Sequence, residues 1–187
     1  MPAPVLTTKR LILRHWRESD LIAFSKMNAD PRVMEFFPKT LSKAESDEIA
    51  KKLIKELKEK DYGLWAVEAK NIAPFIGFIG LHSTDYDTSF TPCIEIAWRL
   101  AYEHWNKGYA TEGAKEALDY GFNKLKLKEI VSFTAIKNLR SRKVMEKLGM
   151  VHNPKDDFNH PKLPLDHPLS LHVLYRLNNP NFKKFIK

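Results

Sequence analysis

The stretch Glu95–Glu112, EIAWRLAYEHWNKGYATE, runs from an apolar strand into a turn at Gly108 and from there straight into a helix. Ile, Trp and Leu predict the strand over 93–100. From 108 the period becomes helical, with Ala110, Ala114, Ala117, Leu118 and Phe122 on one side. A helix start presents backbone N–H groups without intrahelical partners at the positive end of its macrodipole, which makes an anion site. Gly108 permits close approach, and Lys107 and Thr111 add a charge and a hydroxyl donor. An ordinary capping turn has the same pattern, so the junction alone does not name the anion.

Upstream, Arg10–Arg14 alternates like an opening strand, and Ser19-Asp20 offers caps for a helix that stops before Asp30-Pro31. Ser42-x-x-Glu45 reads as a capping box opening a longer helix. Its stripe is Ile49, Leu53, Ile54 and Leu57, and Asp61-Tyr62-Gly63 ends it. Strands at 64–69, 75–81 and 93–100 form an antiparallel meander. Downstream, a strand near 130–136 leads to a helix over 139–148 with Gly149 at its C-cap. Further strands are predicted near 150–152 and 171–177, and 153–170, with four prolines, reads as an ordered loop. The order implies an α/β fold of mixed type, a central, mostly antiparallel twisted sheet with helices on both faces. At 187 residues the chain is expected to be one domain, 1–187.

Four blocks resemble the GCN5-related N-acetyltransferase (GNAT) superfamily, and within it the branch that acetylates ribosomal-protein N-termini. They are Thr8–Arg14 (TKRLILR), Phe75–Leu81 (FIGFIGL), Trp105–Glu112 and Asn138–Met150 (NLRSRKVMEKLGM). The family phosphate loop, Gln/Arg-x-x-Gly-x-Gly/Ala, falls on Trp105, Gly108 and Ala110. Trp105 departs from the general pattern but is frequent in the ribosomal branch, and Asn106 replaces a frequent glycine. The resemblance implies that the anion is the pyrophosphate of acetyl-CoA, the cosubstrate. It implies cofactor contacts from Ala97, Trp98, Arg99 and Leu100, from Trp105, Asn106, Lys107, Gly108, Tyr109, Ala110 and Thr111, and from Asn138 and Ser141. Asn138 would face the pantetheine arm, although Asn at this junction would serve equally as a helix cap.

Direct acyl transfer needs a neutral amine, whereas an α-amine has a pKa of roughly 7.7–8 and a lysine about 10.4, so a proton acceptor is expected. Glu95 is the candidate base, because it alternates with Ile94 and Ile96 and shares a face with Ala97 and Arg99. The rival reading is a strand-surface carboxylate paired with Arg99. Glu103 and Asp85 are alternatives in predicted turns, and a backbone N–H within 97–101 would polarise the thioester carbonyl. Many relatives place a tyrosine acid where this chain has Met145, which leaves Ser141, or water, to protonate the departing thiolate. By the same resemblance Glu35, Phe36 and Phe37 line the acceptor pocket.

The implied reaction is transfer of acetyl to a primary amine, on a small molecule or on a peptide such as a ribosomal-protein N-terminus, in a ternary complex. The alternative is a degenerate member that binds acyl-CoA or RNA without turnover. The formal charge of +8 suits an anionic partner but does not select one, and much of it lies in 43–60, among glutamates, and in 183–187. Nucleic acid is not expected, since Trp16, Trp65, Trp98 and Phe36-Phe37 lack an interleaved basic pattern. His152, His160, His167 and His172 lack zinc spacing, so no metal is expected. Cys93 is the single cysteine, and neither a leader nor a membrane span is visible, which suits a cytoplasmic monomer or homodimer.

Overall fold

The computed structural model describes residues 2–179; the basic segment 183–187 lies outside the described residues. Nine strands form one sheet: β1 (Leu6–Thr7), β2 (Leu11–Arg14), β3 (Leu64–Ala69), β4 (Ala73–Thr84), β5 (Cys93–Leu100), β6 (Glu129–Ala135), β7 (Val151–His152), β8 (Phe158–Asn159) and β9 (Leu171–Asn178). Their spatial order is β1-β2-β3-β4-β5-β6-β9-β7, with β8 on β9. Among the described residues four α-helices complete the fold: α1 (Asp20–Ala29), α2 (Lys43–Glu59), α3 (Tyr109–Asn123) and α4 (Leu139–Lys147). Every pairing is antiparallel except β5 with β6. The expected mixed sheet is present, and the 153–170 segment is organised by β8 rather than left as a bare loop.

Strand alternation assigns the two faces. Ile79 and Trp98 are cross-strand partners, and Ile79 lies against Gly113 of α3. Phe78 and Arg99 pair on the opposite face, where Trp16 and Phe24 pack on Phe78 and Phe75 packs on Trp16. So α3 covers one face and α1 with α2 the other. The small residues of α3 are needed for this approach, because a Cβ at Gly113 would come within 2.6 Å of Ile79.

Caps formed largely as the sequence implies. Ser42 and Glu45 make the reciprocal capping box, and Gly149 ends α4 at φ 78°. Ser19 is a correction: it is helical and makes no side-chain cap bond. Asp20 is used instead, accepting from the backbone N–H of Arg17 at 2.8 Å. Asp20 also receives a two-pronged ion pair from Arg14, whose guanidinium further reaches Glu68, His15 O and Pro74 O. Arg14 and Asp20 are both buried, which explains the terminal arginine of the TKRLILR block: it fixes α1 to the opening strand.

Removing one partner of such a buried pair leaves the other charge uncompensated. Asp20→Ala is therefore expected to lower unfolding stability by about 3–5 kcal/mol in urea titrations, and a loss below about 1 kcal/mol would show that Glu68 and the carbonyls suffice.

Candidate active site

The parallel neighbours β5 and β6 share one backbone pairing, Glu95 with Val131. Beyond it the strands diverge. The amides of β5 that turn toward β6 then face an opening rather than a ladder of carbonyls. A cavity of about 740 Å³ occupies this fork. It is lined from β5 by residues of both faces, Glu95, Ala97 and Arg99 as well as Trp98 and Leu100, and from β6 by Ser132, Phe133 and Thr134. The cavity thus passes through the sheet from the start of α3 to the segment joining α1 and α2.

On one side stands the turn before α3. Gly108 caps α3 with φ 79°, and Asn106 has φ 58°. An added Cβ at Gly108 would only touch Arg10 at 3.4 Å, so the need for glycine there is conformational rather than spatial. The turn is held from behind. Trp105 donates its indole N–H to Leu100 O at 2.8 Å, and Arg10 reaches Lys107 O at 2.9 Å and lies over the Tyr109 ring. Glu112 accepts from Thr8 Oγ1 at 2.6 Å, from the Arg10 backbone N–H at 2.9 Å and from Arg10 Nε at 2.6 Å. The Thr8-Lys9-Arg10 block is therefore a brace for the turn. Its constraints leave the first amides of α3 pointing outward at the cavity, a donor set that fits a pyrophosphate.

Asn138 caps α4 by accepting from Ser141 N at 3.2 Å and donates from Nδ2 to Thr134 Oγ1 at 2.9 Å. The capping role is therefore realised, and the same side chain lines the cavity. Ser141 and Met145 line it too. Phe36 and Phe37 form its wall on the α1–α2 side. Glu35 does not: it forms an ion pair with Arg140, both half exposed, and Arg140 spans the Phe36 and Trp105 rings at 5.5 and 4.9 Å. Lys107 is exposed, contributing its carbonyl to Arg10 rather than a cavity wall.

Glu95 faces the cavity from the α1–α2 side, where it accepts from Thr84 Oγ1 at 3.2 Å. It does not pair with Arg99, four residues along the same strand; the side chains of the two are separate cavity features. Deep burial disfavours the charged carboxylate and pushes Glu95 up to about 7, only partly opposed by nearby His82 and the Thr84 bond. His82 is itself raised by its contact with Glu56. Burial also pushes the Cys93 thiol up to about 11, which keeps it protonated and unfit as a nucleophile.

The opposite wall is made of Tyr86, Phe133, His160, Lys162 and His172; the sequence left open whether His160 and His172 line a pocket or only pack it, and did not point to Tyr86, Phe133 or Lys162. His160 and His172 lie 4.9 Å apart among the rings of Phe133 and Phe158, and burial lowers His160 to about 4. His152 instead stacks on Tyr175 and bonds Asp157. Phe158 and the histidines of 153–170 are the available signal, but their packing depends on β8, a strand of two residues.

Residues 10–151 match the acetyltransferase (GNAT) domain family. The chain belongs to the GNAT acetyltransferase family. It is 30% identical to the uncharacterized N-acetyltransferase YnaD of Bacillus subtilis (strain 168), over 78% of this chain and 81% of the relative. The ribosomal-protein-S5-alanine acetyltransferase of Vibrio fischeri shares its fold with a TM-score of 0.73 at 18% identity, covering 95% of this chain and 98% of that one. So does a spermidine N-acetyltransferase from Vibrio cholerae, solved with CoA and spermine, with a TM-score of 0.70 at 22% identity, covering 92% and 97%. This GNAT chain is an acetyl-CoA-dependent acetyltransferase.

The raised carboxyl of Glu95 has a consequence for stability. Its folded value, about 7, exceeds the ordinary carboxylate value of 4.5, so the folded state holds this proton more tightly and stability falls as pH rises between the two. Glu95→Gln is expected to raise the melting temperature at pH 8 relative to wild type and to change it little at pH 4.5. An equal effect at both pH values would place the titration elsewhere.

Proposed function

We propose that the chain, acting as a single domain, transfers the acetyl group of acetyl-CoA to a primary amine by direct attack within a ternary complex, with Glu95 as the base. The observation that carries this reading is the placement of a carboxyl with a value of about 7 in the cavity that also receives the α3 N-terminus. A base poised near the working pH combines availability with driving force, which serves an amine whose own value lies near 7.7–8. The bound thioester supplies an activated acetyl group.

Each cavity residue then has a task. The first amides of α3, at Tyr109, Ala110 and Thr111, with Asn106 and Gly108 shaping the turn, bind the pyrophosphate; Lys107 adds positive charge near it. The fork-facing amides within Ala97, Trp98, Arg99 and Leu100 align the pantetheine arm and polarise the thioester carbonyl, since β6 gives them no carbonyl partners. Trp105 keeps strand end and turn at fixed separation through its bond to Leu100 O. Asn138 contributes the remaining donor capacity of its carboxamide to the arm. Ser141, at the start of α4, protonates the departing thiolate, a role Met145 cannot fill. Phe36 and Phe37 wall the acceptor side, and Glu35 acts by holding Arg140 rather than by touching the acceptor.

The acceptor amine belongs to a small molecule or to a peptide N-terminus. The same amine chemistry is seen in the names of both fold relatives, one ribosomal-protein-directed and one directed at spermidine.

The test is thiol release from acetyl-CoA across an acceptor panel of N-terminal peptides, polyamines, amino sugars and amino acids. Wild type is expected to show a kcat/KM that rises with pH and levels off above about 7. Glu95→Gln is expected to lose roughly 10²-fold or more and to lose that inflection while retaining acetyl-CoA affinity. Ser141→Ala is expected to lose less than tenfold, water replacing the hydroxyl. An unchanged pH profile in Glu95→Gln removes Glu95 from the mechanism, and cofactor binding without thiol release from any acceptor supports the binding-only alternative.

A further inference from the structure

Two ionisable side chains of β5 face the cavity on the α1–α2 side, and the reaction above uses only Glu95. The other is Arg99. Its guanidinium lies 4.1 Å from the Phe37 ring centroid and 5.4 Å from that of Phe78, held between two aromatic groups. Nη1 donates to Asn28 Oδ1 at 2.8 Å. Asn28 is fully buried, and its Nδ2 is committed to Ser46 Oγ at 3.2 Å, so that its carbonyl is turned toward Arg99. Arg99 Nε is buried with no hydrogen-bond partner among the described residues.

The contrast with other arginines of this sheet is chemical. Arg14 has the carboxylates of Asp20 and Glu68, and Arg176 has those of Glu129 and Asp156. Among the described residues, Arg99 has no carboxylate within ion-pairing distance; one neutral amide oxygen and two rings are its company. Burial lowers its pKa to about 10, which still leaves it fully charged at neutral pH. A half-buried cation without a counter-charge is costly, and an arrangement that holds it while leaving it open to a cavity suits an arriving anion. The planar fork of the guanidinium matches a carboxylate in particular.

Resting on the acetyl-transfer reading, we propose that Arg99 is the specificity residue of the acceptor pocket and that the acceptor is an amine bearing a carboxylate, which docks on Arg99 while the amine reaches Glu95. The two stand four residue steps apart on the strand, about 13 Å between Cα atoms at about 3.3 Å per residue. The side chains shorten that gap, but the amine and carboxylate must still be several bonds apart. This selects the spacing of a short peptide over that of an α-amino acid. The phosphates of the cofactor do not compete for the role, because the turn that receives them lies at the start of α3, on the other face of the sheet from Arg99.

The experiment is calorimetric titration of the CoA-saturated protein, a complex that cannot transfer acetyl, with matched acceptors: alanyl-alanine against alanyl-alanine amide, and alanyl-aspartyl amide against alanyl-asparaginyl amide. The first pair places the carboxylate at a chain terminus, the second on a side chain. Wild type is expected to favour the carboxylate by about 10–100-fold in at least one pair, as a charge-assisted bidentate contact gives. Arg99→Met is expected to equalise the members of that pair, and Arg99→Lys to retain part of the preference. Equal binding within both pairs by wild type overturns the proposal, and so does weakened CoA binding in Arg99→Met with the acid-to-amide ratio intact, which would assign Arg99 to the cofactor. If Arg99→Met does not fold, the wild-type ratio decides. The readout needs no turnover: a carboxylate preference in a protein that releases no thiol would leave the Arg99 assignment standing and refute the transfer reaction instead.

Discussion

The divergence of β5 from β6 after a single backbone pairing is the constraint on which the site depends. Continuous pairing would satisfy the inner edges of both strands and close the sheet. Separation leaves a row of β5 amides facing an opening and lets one cavity reach both faces, so a long, thin ligand entering from the α3 side can meet a second one arriving from the α1–α2 side. A strand edge left unpaired in a protein interior would ordinarily be a liability, since buried amides without partners cost free energy. Here the opening is lined by polar groups and large enough to be solvated.

The opening is held by braces outside it. Trp105 fastens the end of β5 to the following turn, and the Thr8–Arg10 segment fastens the turn to the opening strand through Glu112 and Lys107 O. Arg14, four residues further along and at the end of β2, anchors α1 through Asp20, and α1 carries Asn28 to its contact with Arg99. Two arginines of a single short strand block thereby fix the turn before α3 and the helix α1. The capacity of arginine for several directed bonds from one rigid group accounts for its use at both positions.

Most of the architecture could be read in the sequence because its signals are local. The capping box at Ser42, the C-cap at Gly149 and the alternation of β3 and β5 each state their own structure, and the boundaries of those elements fell where the residues imply. The turn from β5 to α3 was legible for the same reason, and likeness to a known family, carried above all by Asn138–Met150, is what proposes a pyrophosphate as its anion. What stayed hidden depends on groups distant in sequence. Ser19 is helical, and Asp20 accepts from Arg17 N instead while paired with Arg14. Glu95 and Arg99 read equally as a pair on a strand surface, and only the assembled fold gives them different partners, Thr84 and Asn28. Glu35 read as pocket lining, whereas Arg140, 105 residues away, takes it as a partner. Whether His160 and His172 line the cavity or only pack behind it depended on β8 meeting β9. Side-chain environment decided all four, and environment is a property of the assembled fold.

The central claim is that the fork and the start of α3 together form one cofactor channel, with the chemistry on its far side. Hydrogen–deuterium exchange with and without CoA tests it directly. Protection concentrated in 97–100 and 108–111, with β3 and β9 unchanged, is the predicted result. Protection absent from both segments, or confined to a surface elsewhere, would contradict the account.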